Sequence, residues 1–179
     1  MKNDQQLPAP DYYQAYIRQN PETEVCTALE NSIAPLQNTA LIRLWHQLGD
    51  QVYAAGKWTV ADIFQHLADA ERVFGYRALR FARNDRSLLP PFEENDFVVE
   101  AMAHTRPLEN ILDELIGLRR SSLALFRSFS PAMMQRSGLC MGQETAVAAM
   151  GFVIAGHQAH HLQVISERYF PLISSAVSG

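Results

Sequence analysis

Residues 59–83, TVADIFQHLADAERVFGYRALRFAR, decide how this chain folds. Ile63, Leu67, Ala70, Val73, Phe74 and Phe81 return at three- and four-residue intervals, the period of one helix face. His66 and Arg77 fall on the same stripe. Thr59 stands where an N-cap belongs, with Asp62 three residues on in the manner of a capping box, although Glu is the usual partner. Asn84-Asp85-Arg86-Ser87 followed by Pro90-Pro91 end the helix.

The same periodicity extends outward in both directions. Val25, Leu29, Ile33, Leu36, Leu41, Leu44 and Leu48 predict a helix over 22–48 that Pro35 kinks or splits in two. Leu108, Ile111, Leu112, Leu115, Leu118, Leu123 and Phe126 predict another over 107–129, with Pro107 at the first helical position. A fourth runs from 145 to about 169 and stops at Pro171. The connection over 84–106 is too long for a tight hairpin, so it holds a short helix near 94–103 and lets the third helix run parallel to the second. No convincing alternating strand interrupts the pattern. The expectation is an all-α four-helix bundle over 22–170, with an irregular N-terminal segment (1–21) carrying a short helix at 11–19 that Pro21 stops, and a C-terminal tail over 171–179.

At 179 residues the chain suits one well-filled core. A net charge of −4 leaves no basic footprint for nucleic acid or an anionic membrane. No apolar run reaches the roughly 18 residues of a membrane span. Met1-Lys2-Asn3-Asp4-Gln5-Gln6 lacks the apolar core of a secretory signal, which sets the expectation of a cytoplasmic protein. Cys26 and Cys140 fit no metal-ligand spacing and read as reduced thiols, with Cys140, between Gly138 and Gly142, the candidate for a reactive one.

Histidines carry the chemistry. His157 and His161 lie four apart within an apolar run, so both rings reach one side of the fourth helix, alongside Val153, Ile154, Val164 and Ile165. His66 faces inward from the second. Burying a neutral imidazole is costly unless its nitrogens are partnered. Either each ring finds its own polar neighbour, or the three share one ion with an open coordination position. His160 falls at the edge of the stripe and reads as a rim residue, while His46 and His104 read as surface or packing residues. Gln158 stands where an H-E-x-x-H metalloprotease places its general base, and Glu71 points about 140° away from His66 at roughly 100° per residue. With no carboxylate beside an ion, Lewis acidity toward water or an incoming thiol is the chemistry left. Arg72, Arg80 and Arg83 read as a solvated face. Arg77, on the apolar stripe, either pairs a buried carboxylate or holds an anionic ligand.

Lys57-Trp58-Thr59, the run Gln65-His66-Leu67-Ala68-Asp69-Ala70-Glu71-Arg72-Val73-Phe74-Gly75-Tyr76-Arg77, Gly156 through His161, and Glu167-Arg168-Tyr169 together resemble the DinB-like superfamily, damage-inducible four-helix-bundle metalloproteins. The resemblance covers about 22–169. It implies an up-down-down-up bundle and one divalent transition metal, zinc or nickel foremost and iron or copper next, held by His66, His157 and His161. It also implies a metal-dependent enzyme acting on a small molecule, by transfer from a low-molecular-weight thiol such as bacillithiol, mycothiol or glutathione. The alternatives are a metal-dependent hydrolase or a non-catalytic metal-containing stress-response protein. Homodimers are common among such proteins. The stretch 146–156, apolar nearly all round, needs cover from a partner subunit or from the 84–106 crossover, and the expectation is a homodimer that uses this region.

Overall fold

Thr59 caps its helix as the sequence predicts. Its hydroxyl accepts from the Asp62 amide at 3.1 Å, and the Asp62 carboxylate accepts from the Thr59 amide at 2.9 Å, in a computed structural model that describes residues 7–20, 23–140 and 142–176. Residues 1–6 of the expected irregular N-terminal segment, Pro21, Glu22, Met141 and residues 177–179 lie outside the described residues.

The elements follow in order. Short α1 (Asp11–Ile17) precedes α2 (Val25–Asn31), α3 (Ile33–Leu36) and α4 (Thr39–Leu48). Long α5 (Val60–Ala82) leads through the crossover helix α6 (Glu94–Ala101) to α7 (Leu108–Arg127). After α8 (Pro131–Met134) come strands β1 (Ser137–Cys140) and β2 (Gln143–Ala146), then α9 (Val147–Val164) and α10 (Phe170–Ala176).

Cross-helix pairs fix the topology. Gln65 meets Arg106 and Arg72 meets Glu114, so α5 and α7 run parallel. Gln158 reaches Ser32, and Val25 lies where a Cβ on Gly151 would fall, so α2 and α9 are parallel as well. Arg127 pairs with Glu30 while Arg119 reaches Ser32, which sets α7 antiparallel to α2. The bundle is therefore up-down-down-up, and the α5-to-α7 crossover makes the parallel step possible.

Two apolar clusters fill the bundle, one around Phe81, Phe126 and Phe152 and the other around Trp45, Phe64, Leu115 and Tyr169. Between them Glu71 and Arg119 are 2% and 1% exposed. The Arg119 guanidinium donates to the Glu71 carboxylate at 2.9 and 3.1 Å from Nε and at 2.9 Å from Nη2, and Nη1 donates to the Ser32 hydroxyl. The Gln158 side-chain amide donates to the Ser32 carbonyl at 2.6 Å, with its own Oε1 left without a partner.

The structure corrects several sequence expectations. The first long helix breaks into three pieces, because Pro35 cannot donate and Asn38 starts α4 afresh, its side chain accepting from the Ala40 and Leu41 amides at 3.0 and 3.2 Å. Pro107 is the cap of α7 rather than its first helical residue. Ser137–Ala146 is a two-stranded antiparallel hairpin where no strand was expected, with Gly138 seated against the Phe81 ring where a Cβ would lie 2.1 Å away. Cys140 is not in a flexible loop but 1% exposed, 3.7 Å from the Tyr13 hydroxyl, which withdraws it as a reactive thiol. A π-helical turn over Ile165–Tyr169 lets the last helix continue through Pro171 into α10, which packs on α4. Cover for 146–156 comes from α1, α2 and α5 of the same chain, so this stretch gives no reason of its own to expect a homodimer. Among the described residues no helix is long and apolar enough to cross a membrane.

Replacing Arg119 with Met strands the Glu71 carboxylate in the core and is expected to cost about 3–5 kcal/mol, read from urea unfolding. Adding Glu71→Leu to that variant removes the stranded charge and is expected to recover most of the loss.

Candidate metal centre

His66 projects from the first half of α5 and His157 with His161 from the second half of α9, and the antiparallel packing of the two helices brings all three to one point. The Nε2 atom of His157 lies 3.2 Å from that of His66 and 3.1 Å from that of His161. Ligand atoms of all three rings lie within 4.8 Å of one another. One neutral imidazole nitrogen cannot serve two others well at once, since it either donates or accepts. A tetrahedral ion with bonds of about 2.0–2.1 Å holds its ligand atoms roughly 3.3 Å apart, so the spacing suits three nitrogens on one ion.

Electrostatics favour the ligand form. Burial drives the His66 pKa down to about 4. His161 falls to about 3, through burial first and then its histidine neighbours. His157, the most enclosed, lies well below the ordinary value, through burial and then His161 and His66. All three rings are neutral at physiological pH, with lone pairs free for a cation. The Trp58 ring centroid lies 4.7 Å from that of His66 and 6.3 Å from that of His161, and the Tyr169 hydroxyl holds the Trp58 carbonyl at 2.6 Å. This bond joins two of the motifs that carry the family resemblance, Lys57-Trp58-Thr59 and Glu167-Arg168-Tyr169.

A cleft of about 340 Å³ opens onto His66 and His157, walled by Tyr12 and Tyr16 of α1, Phe74 and Arg77 of α5, and the crossover segment up to Glu94. A second, of about 280 Å³, reaches His161 from the other side, past His160 and Trp58. His160 keeps the rim position the sequence gives it, its ring 5.5 Å from Tyr16. Gln158 turns away from the triad toward Ser32, and Glu71 is committed to Arg119. His46 pairs with Glu109 at 2.7 Å on the surface and His104 is exposed. Arg72 and Arg80 are held by surface carboxylates, Asp69 with Glu114 and Asp85 respectively, and Arg83 reaches the Met133 sulfur.

Sequence reasoning missed two contributions to this site and the buried arginine of the layer beside it. Glu93 and Glu94 bring carboxylates to the cleft from the crossover. Burial, with Glu93 next to it, raises the Glu94 pKa above the usual carboxylate value. Tyr12 and Tyr16 come from the N-terminal segment, and only their i,i+4 spacing in the sequence hints at a shared face. Arg119 was legible in principle, since it continues the Leu112, Ile116, Leu123 stripe as Arg77 continues its own.

A four-helix bundle whose second and fourth helices converge three neutral imidazoles beside an open cleft defines a class of metal-centre proteins. The sequence profile of the DinB superfamily matches residues 11–165, and the chain belongs to that superfamily. It is 32% identical over 119 residues to a Geobacillus thermodenitrificans protein, covering 65% of this chain and 67% of that one. To an Oceanobacillus iheyensis protein it is 28% identical over 142 residues, covering 77% and 76%. Both relatives carry the name "putative metal-dependent hydrolase". Among solved structures it resembles YfiT from Bacillus subtilis, described as "a probable metal-dependent hydrolase with an unusual four-helix bundle topology", with a TM-score of 0.70 at 19% identity over 95% of this chain and 90% of that one.

Gly156, beside His157, lets α1 touch α9, since a Cβ there would fall 1.9 Å from the Tyr16 carbonyl oxygen. Gly156→Ala is therefore expected to push α1 off the bundle at a cost of about 1–3 kcal/mol, seen as a lowered urea midpoint. Limited proteolysis is expected to cut first near 7–20.

Proposed function

We propose that this protein is a metal-dependent hydrolase of a small molecule, with His66, His157 and His161 as ligands to one divalent transition metal. The observation that carries the reading is the pair of Nε2 separations, 3.2 and 3.1 Å, among rings that burial keeps neutral. Zinc and nickel suit three imidazoles, and iron or copper follow. The names of the relatives support hydrolysis as the reaction.

A divalent ion held by these three residues would supply Lewis acidity toward an acyl oxygen or water. The rest falls to the chain. His66 and His157 face the larger cleft, so substrate enters between α1 and the crossover. Phe74, whose ring centroid lies 5.9 Å from that of His157, and Tyr16, at 5.1 Å, exclude water from the flank of the site and offer flat apolar surface to the substrate body. Of the two carboxylates that line that cleft, Glu94 is the one we assign to accept a proton from water, since burial raises its pKa above the usual carboxylate range, which suits a general base. Because Tyr12 and Tyr16 line the cleft, the functional unit takes in α1 as well as the bundle over 22–170.

Transfer from a low-molecular-weight thiol, which the family resemblance implies, has no structural observation of its own and becomes an arm of the experiment. Purified protein is expected to hold about one equivalent of metal by elemental analysis and His66→Ala to hold almost none. Stoichiometric metal in that variant removes the shared site. Zinc- or nickel-loaded protein is expected to hydrolyse activated esters or amides without thiol, with His157→Ala and chelator treatment returning the rate to background and Glu94→Gln lowering it by about 10²-fold or more. Turnover that requires bacillithiol, mycothiol or glutathione with an electrophile instead selects the transferase. A metal-loaded protein inert in every assay selects the non-catalytic reading.

A further inference from the structure

Two arginines are buried in this bundle, and they are treated very differently. Arg119 has a carboxylate across two donor positions and a hydroxyl on the third. Arg77 is only 4% exposed, yet it has no carboxylate in ion-pair contact among the described residues. It donates to two neutral acceptors, the Tyr13 hydroxyl at 3.3 Å and the Pro90 carbonyl at 3.2 Å. A guanidinium carries five N–H donors and a permanent charge, and enclosing that charge without an anion is costly. Of the two alternatives left by the sequence, this favours the anionic ligand, since no carboxylate among the described residues pairs with Arg77.

Arg77 instead lines the same cleft as His66 and His157. Glu93 and Glu94 line this cleft too, on the crossover segment that follows Pro90. Arg77 is braced by Tyr13 and Pro90. His66 and Arg77 are eleven residues apart on one helix, roughly 16 Å of axial rise, and the arginine side chain leans back toward the histidines. Phe74, Tyr12 and Phe92 wall the space between.

We propose that Arg77 anchors an oxyanion group of the substrate, a carboxylate or a phosphate, at the end of the cleft remote from the three histidines. The substrate class is then an elongated small molecule with an anionic end, an apolar body and the susceptible bond several bonds away. Calling the ligand a substrate rests on the hydrolase reading; the anion site does not.

The test titrates inorganic phosphate and, separately, succinate into zinc-loaded and metal-free protein at low ionic strength, by isothermal calorimetry and by following the Arg77 Nε–H signal in nuclear magnetic resonance spectra. At least one probe is expected to bind both forms with comparable affinity and to move the Arg77 signal, and the probe that does so identifies the anion. Arg77→Met is expected to weaken binding at least about tenfold, with Arg77→Lys retaining part of it. Absence of binding by both probes, binding unaltered in Arg77→Met, or an unmoved Arg77 signal overturns the proposal. Binding confined to the zinc-loaded form also overturns it, because the anion then sits on the ion. Should Arg77→Met fail to fold, the wild-type signal and Arg77→Lys decide. Failure to load zinc sinks the metal reading alone and leaves the anion result standing.

Discussion

The Glu71–Arg119 ion pair is the constraint on which the rest of the bundle depends. It lies between two apolar clusters and bridges α5 to α7, and through Ser32 it reaches the junction between α2 and α3. Gln158 of α9 closes on the same serine from the other side. One layer of polar groups thus touches each of the four bundle helices, and both charges in it are paired. A helix that slid by one turn would leave a charge or an amide unpaired in apolar surroundings, where the penalty far exceeds that for a misplaced leucine. Leucine-rich faces tolerate many registers, whereas this layer selects one. The register it selects brings His66 opposite His157.

The histidines lie on the flank of that layer and share its logic. Their burial would be unfavourable if each ring stood alone, and it becomes useful because it keeps the lone pairs free. The bundle supplies the donor nitrogens from its two most enclosed helices. Groups that meet a ligand come from elsewhere, from the short helix before the bundle and from the crossover. Rigid elements hold the chemistry, and shorter connecting segments shape the approach to it.

Local signals were legible in the sequence and tertiary ones were not. The Thr59–Asp62 cap, the inward stripe of α5, the four-residue step from His157 to His161 and the long crossover all follow from rules within one turn or one connection. Pro35 announced a break, but the restart at Asn38 depended on a cap hidden inside a periodic apolar pattern. The hairpin over Ser137–Ala146 escaped because its four-residue strands are too short to alternate convincingly, and because Gly138 earns its place by fitting against Phe81, far away in sequence. The helix running on through Pro171 was hidden for a similar reason, since the π turn that precedes it leaves no local composition mark. Glu94 and Tyr16 carried no sign of the site they line, because nothing near them in sequence says where their segments will dock.

The contact at Gly156 has a consequence for how this architecture diversifies. The helix bearing Tyr12 and Tyr16 meets the bundle where a backbone carbonyl rests on a bare Cα, and it buries Tyr13 and Ile17 in the core while its cleft-facing residues stay more exposed. Changes in α1 or in the crossover can therefore alter what the cleft admits while leaving the histidines and the polar layer untouched. Drift at cleft-facing positions such as Tyr12 and Tyr16 costs the scaffold less than drift in the buried faces of α5 or α9. A lineage built on this plan can exchange one ligand for another by rewriting roughly two short peptides.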